Sequence, residues 1–129
     1  MKPWKRLEQA LKTTDLLLHG GGWGVVVFDL GGIPWVDARR IELSTWFRFR
    51  RAIENTPTIL LLLGEESCAK SCASLVLRCK RRVDNWTRAA AHVESRMSTL
   101  EGFEVQGEVT RSRVLSHAAE SARWQTHTP

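Results

Sequence analysis

The sequence predicts an α/β fold, and three observations predict it. An apolar stripe at helical spacing runs into a glycine cluster. A near-continuous run of β-branched residues follows at once. A second amphipathic stretch then ends at a proline and opens a second apolar run. Helix, glycine turn and buried strand, in that order, is the local grammar of α/β chains.

The first helix is expected over residues 4–18. Trp4, Leu7, Leu11 and Leu18 recur at three- and four-residue steps, with Ala10 and Leu17 widening the stripe. Lys5, Arg6, Glu8, Gln9 and Lys12 fill the opposite face. His19-Gly20-Gly21-Gly22 stops the helix, because glycine readily takes the left-handed conformation that a helix C-terminus favours. Residues 23–29 then read as a strand buried on both faces of a sheet. Gly31-Gly32-Ile33-Pro34 breaks the chain. A second helix is expected over residues 43–55, with Ser44 or Thr45 as its cap. Pro57 ends it, and residues 58–63 form a second buried strand, followed by a polar connection over 64–67.

The pattern then changes period. Leu75, Leu77 and Cys79 alternate with Val76, Arg78, Lys80 and Arg82, which predicts a strand with one solvated, basic face. Phe103, Val105, Gly107 and Val109 alternate with Glu104, Gln106, Glu108 and Thr110, which predicts a second half-exposed strand antiparallel to the first. Residues 84–100 are polar and poorly periodic and read as a long hairpin loop or a short helical piece. Residues 116–129 read as a polar, frayed tail. The 129 residues fit one domain, expected over 1–115 ahead of that tail.

Composition narrows the function classes. Hydrophobic residues make up 43% and charged residues 26%, which excludes wholesale disorder. A net charge of +5 permits a nucleic-acid or other anionic partner without establishing one. Three cysteines, Cys68, Cys72 and Cys79, do not suggest a disulfide framework. The N-terminus turns polar at once, with no signal pattern, and the longest apolar run is far too short to cross a bilayer. A reduced, cytoplasmic, soluble protein without a membrane partner is the expectation.

Four motifs bear on chemistry. The apolar strand ends in Asp29. An aspartate at the C-terminal end of such a strand can hold the magnesium ion that bridges nucleotide phosphates. Asp also begins turns, and the pattern alone favours that simpler role. The phosphate-binding loop such an aspartate would serve is absent. Gly20-Gly21-Gly22-Trp23-Gly24 carries no lysine and leads into a strand, whereas a P-loop needs Gly-Lys-Ser/Thr opening a helix. The chain is therefore expected not to be a self-sufficient ATPase, and no catalytic residue is assigned. Arginines and lysines recur at 39, 40, 48, 50, 51, 78, 80, 81, 82, 111 and 113. If the strands carrying Arg78, Lys80 and Arg82 and carrying Arg111 and Arg113 pair, those side chains form one stripe for a nucleic-acid backbone. A solvated sheet face is the plainer alternative. Cys68 and Cys72 are spaced like half of a zinc site but have no matching second pair, so small buried thiols are the better reading.

Several segments, in order, resemble the RecA family around its magnesium-side strand. Leu7-Glu8-Gln9-Ala10-Leu11 and Asp15-Leu16-Leu17-Leu18 lead into Trp23-Gly24-Val25-Val26-Val27-Phe28-Asp29-Leu30-Gly31. Residues 43–58, 71–78 and 102–113 resemble the following helix, the next strand and the last antiparallel strand of the core. The subgroup resembled is the ImuA type of bacterial RecA-like protein, an accessory of damage-induced translesion synthesis. The resemblance implies a partial RecA-like core with a mixed (parallel plus antiparallel) β-sheet and flanking helices. It implies Asp29 in the magnesium-side position, with Mg-ATP bound only if an upstream segment or a partner completes the site. It also implies DNA-repair or translesion-polymerase proteins, and DNA, as partners. An incomplete sheet would expose an edge, favouring self-association. Residues 64–71 are shorter than the DNA-facing loop of true recombinases, and the strand end reads Leu63-Gly64-Glu65 rather than Asn-Gln. Those departures weigh against strand exchange.

Overall fold

The structure is a computed structural model and describes residues 3–88, 98–113 and 121–127. The fold is α/β, and the chain gathers into two units, Met1–Ala73 and Ser74–Pro129. No helix among the described residues is long and apolar enough to cross a membrane.

In the first unit, α1 (Pro3–Gly20) ends where Gly21 and Gly22 take φ of 68° and 81°. The Gly21 N–H donates to the Leu17 carbonyl at 3.2 Å, satisfying one of the helix's last acceptors. The chain then enters β1 (Val25–Asp29), passes the short α2 (Trp35–Ala38) and α3 (Leu43–Ile53), and returns as β2 (Ile59–Leu63). The strands β1 and β2 pair in parallel, from Val25 opposite Ile59 to Asp29 opposite Leu63. The Thr58 hydroxyl donates to the Trp23 carbonyl at 2.6 Å and pins the start of that pairing.

The core of this unit gathers Leu7 and Leu18 of α1, Val26 and Phe28 of β1, and Trp46 and Phe49 of α3, with Leu30, Ile41, Cys68 and Cys72. Trp46 stands edge-on to both Phe28 and Phe49, at centroid distances of 6.3 and 5.9 Å. Phe49 is fully buried, which contributes about 1.5–3 kcal/mol relative to leaving it in water. The Trp46 Nε1–H finds no acceptor among the described residues, an omission of about 1–3 kcal/mol. Arg48 of α3 donates from Nε to Asp15 of α1 at 2.8 Å.

Two expectations here are corrected. The apolar strands are covered on one face only. Val26, Phe28, Leu60 and Leu62 join or pack against the core, whereas Val25, Val27, Ile59, Leu61 and Leu63 are exposed. A run that is hydrophobic at every position does not say how many layers cover it, and the core lies on one side of this sheet. The cap of α3 is Glu42 rather than Ser44 or Thr45, and the Ser44 hydroxyl donates to the Glu42 carboxylate at 3.1 Å.

A short 3-10 turn, Lys70–Cys72, precedes the second unit. That unit is a three-stranded sheet in the order β3 (Leu75–Arg88), β4 (Ser98–Ser112), β5 (Ser121–His127). β3 pairs antiparallel with β4, as the alternation predicts, and β4 pairs antiparallel with β5. The parallel and antiparallel pairings therefore sit in two separate sheets rather than one mixed sheet. Two more expectations are corrected. Residues 84–88 and 98–100, read as loop or helix, extend β3 and β4; residues 89–97 lie outside the described residues. Residues 121–127, read as frayed tail, form β5; residues 116–120 and 128–129 lie outside the described residues. Both were polar stretches, and polar residues pair well in a sheet whose hydrogen bonds come from the backbone.

Candidate nucleic-acid interface

The register between β3 and β4 decides which side chains share a face. Residues directly opposite in an antiparallel pair point the same way. Val76 lies opposite Arg111, Arg78 opposite Glu108 and Lys80 opposite Gln106. The Arg113 N–H donates to the Ser74 carbonyl at 2.9 Å, continuing the ladder so that Arg113 falls on the same side as Arg111. An irregularity between Val76 and Leu77 leaves Thr110 as the extra residue on β4, and its hydroxyl donates to the Val76 carbonyl at 3.3 Å. A second irregularity leaves Arg82 as the extra residue on β3. Its guanidinium donates to Gln106 Oε1 at 3.2 Å, which holds Arg82 on the side of Lys80.

Arg78, Lys80, Arg82, Arg111 and Arg113, read separately from two stretches of sequence, thus fall on one face of one sheet, and all are exposed. Strand β5 adds Arg123, opposite Gln106, with its Nε 3.9 Å from the Glu104 carboxylate. Sequence reasoning missed Arg123 because the tail was read as frayed. The signal was there: Ser121, Arg123 and Gln125 alternate with Ala122, Trp124 and Thr126. Glu104 and Glu108 interrupt the positive face without reversing its sign.

The opposite face is largely apolar and carries one described cation, Arg81, opposite Val105. Leu75, Leu77, Phe103 and Trp124 are exposed on it, beside the half-buried Val105 and Val109. Trp124, opposite Val105, lies across Gly107, where an added Cβ would overlap ring atoms Cζ3 and Cη2. Gly107 is thus a close-approach glycine that lets an indole lie flat against the backbone.

In the first unit, Asp29 closes β1 opposite Leu63. Its exposed carboxylate accepts from the Gly31 N–H at 2.7 Å, the geometry of an aspartate-initiated turn. Glu65 and Glu66 line a shallow hollow with Leu30 and Trp35 at the same end of the sheet. Of the remaining basic residues singled out from sequence, Arg81 lies on β3 opposite Val105 and the others belong to the first unit, where Arg40 stacks 5.0 Å above the Trp4 ring and Arg48 pairs with Asp15. Cys68 and Cys72 are buried, as expected, while Cys79 is exposed on β3. Burial pushes the Cys68 thiol pKa up, against a smaller opposing backbone hydrogen bond.

No protein-family model matches this chain, and no curated protein matches it.

Proposed function

We propose that this chain is a RecA-like, ImuA-type accessory of DNA repair and translesion synthesis. It works by contact, holding nucleic-acid backbone on the cationic face of β3 and β4 and not hydrolysing nucleotide on its own. The observation that carries the reading is the register: it brings Arg78, Lys80, Arg82, Arg111 and Arg113 onto one exposed face. Guanidinium forks match phosphate geometry, and lysine adds point charge. The partner proteins in this reading, repair or translesion-polymerase proteins in the cytoplasm or a second copy, meet uncovered apolar surface such as Val25, Val27, Ile59, Leu61 and Leu63.

Anisotropy titrations of a labelled duplex against salt test it. If each of the five side chains neutralises one phosphate, log K falls against log salt with a slope of about −4.5. Affinity that does not change with salt, or an acidic polypeptide bound more tightly than DNA, overturns it.

A second reading is favoured by Asp29 at the end of β1 and by the unpaired edges of the β1–β2 sheet among the described residues. In it the chain is part of a RecA-like DNA-dependent ATPase, with Asp29 on the magnesium side and the P-loop supplied by an upstream segment or a second subunit. Calorimetric titration separates the two. Tight Mg-ATP binding by the chain joined to that segment or subunit, lost in Asp29→Ala, supports the ATPase; binding that Asp29→Ala leaves unchanged supports the accessory.

A further inference from the structure

We infer that the cationic sheet face takes nucleic acid through its phosphates alone, preferring duplex, because Phe103 and Trp124 lie on the other side of the sheet. The inference rests on the nucleic-acid reading above and specifies the ligand class of that same face.

Proteins that hold single strands combine cations with aromatic platforms on which bases stack, so both must line one surface. Here Phe103 and Trp124 stand on one face and Arg78 and Lys80 on the other; the one described cation on the aromatic side is Arg81, opposite Val105. β4 runs without irregularity from Gly102 to Val109, so Glu104, Gln106 and Glu108 share one face and Phe103, Val105, Gly107 and Val109 the other. Arg78 and Lys80 lie opposite Glu108 and Gln106, on the first face. Phe103 belongs to the second, and so does Trp124, which pairs with Val105 and covers Gly107. A sheet is one backbone thick, and a nucleotide lying on Arg78 and Lys80 cannot place its base on Trp124 or Phe103 through it.

The spacing of the cations suits a phosphate backbone. Alternate residues on a strand are about 6.8 Å apart. Arg78 and Lys80 therefore meet neighbouring phosphates of one strand, with Arg111 of β4 and Arg123 of β5 beyond them on the same face. A duplex keeps its bases stacked internally and presents the higher density of phosphate. A single strand, denied stacking on the protein, offers this face less charge and nothing in exchange.

The test uses the full chain and end-labelled oligonucleotides of equal length, one single-stranded and one duplex, at low salt. Duplex is expected to bind more tightly than the single strand. Phe103→Leu is expected to leave both affinities within about twofold, since loss of a stacking platform weakens binding by about fivefold or more. Arg78→Ala is expected to weaken both. A preference for single strand, or a loss with Phe103→Leu in a variant of unchanged circular dichroism, overturns the segregation while leaving the nucleic-acid reading in place. No binding of either form at low salt overturns the reading on which it rests. The comparison of duplex with single strand is made on the unsubstituted chain, so misfolding of a variant does not protect the inference.

Discussion

The two units of this chain hold themselves together differently. The first buries large side chains: Phe49 and Leu7 are sealed, and Trp46 is wedged between aromatic rings. In the second, among the residues whose exposure is described, the buried ones are Gly102 and Gly107, which have no side chain to bury. Its order comes from the backbone ladder, from cross-strand pairs and from one indole laid over a glycine. The difference teaches where to look for stability and where for binding. Side chains spent on a core cannot touch a partner, and a sheet with both faces exposed offers two different surfaces.

The sharpest way to break that comparison is a matched pair of truncations. Phe49→Ala in the first unit should cost about 3–5 kcal/mol, and Leu77→Ala on the exposed face of the second less than about 1 kcal/mol, read by urea denaturation. Equal losses would mean that the apolar face of the second unit is covered in solution. Next in size, Gly107→Val forces the Trp124 ring off the sheet, at about 1–3 kcal/mol. Hydrogen exchange should show the loss in β4 and β5 and leave β1 protected; loosening of β1 as well would join what the contacts divide.

Thiol chemistry sharpens the same contrast. Cys79 is exposed, while Cys68 and Cys72 are buried, so iodoacetamide should modify Cys79 first. The Cys68 pKa is raised in the folded chain from an ordinary 9.0, chiefly by burial. A raised thiol pKa means the neutral form is favoured on folding. Its contribution is fully present below the ordinary thiol pKa and is lost as pH rises through the folded value. Stability should therefore fall on the alkaline side, and Cys68→Ala should flatten that fall in a pH series of denaturation curves. The smallest effect belongs to the Asp15–Arg48 pair. It bridges α1 and α3 at 2.8 Å, but the arginine is more than half exposed, so Asp15→Asn should cost only about 0.2–1 kcal/mol, declining with added salt.

Much of the fold is legible in the residues, and the failures share one cause. The two long helices α1 and α3, the glycine stop at Gly21 and Gly22, the two apolar strands and the antiparallel partnership of β3 with β4 all follow from local period and turn chemistry. The same alternation placed Arg78, Lys80 and Arg82 on a common side. Residues 121–127 were not legible as a strand because a polar edge strand pairs through backbone groups that every sequence carries. The cap at Glu42 escaped because helix entry depends on where the preceding chain arrives, not on the best capping residue nearby.

The sequence by itself determined the periods: which stretches curl, which extend, and which side chains alternate. It also determined a positive charge without a phosphate-binding loop to direct it. Only the tertiary structure decided two things. It left one face of the β1–β2 sheet bare, and it set Arg111 and Arg113 beside Arg78 and Lys80 while turning Trp124 and Phe103 away. The physical reason is that periodicity is a property of consecutive residues. Coverage and register are properties of partners distant in sequence, and a single extra residue such as Thr110 or Arg82 resets which cations can act together.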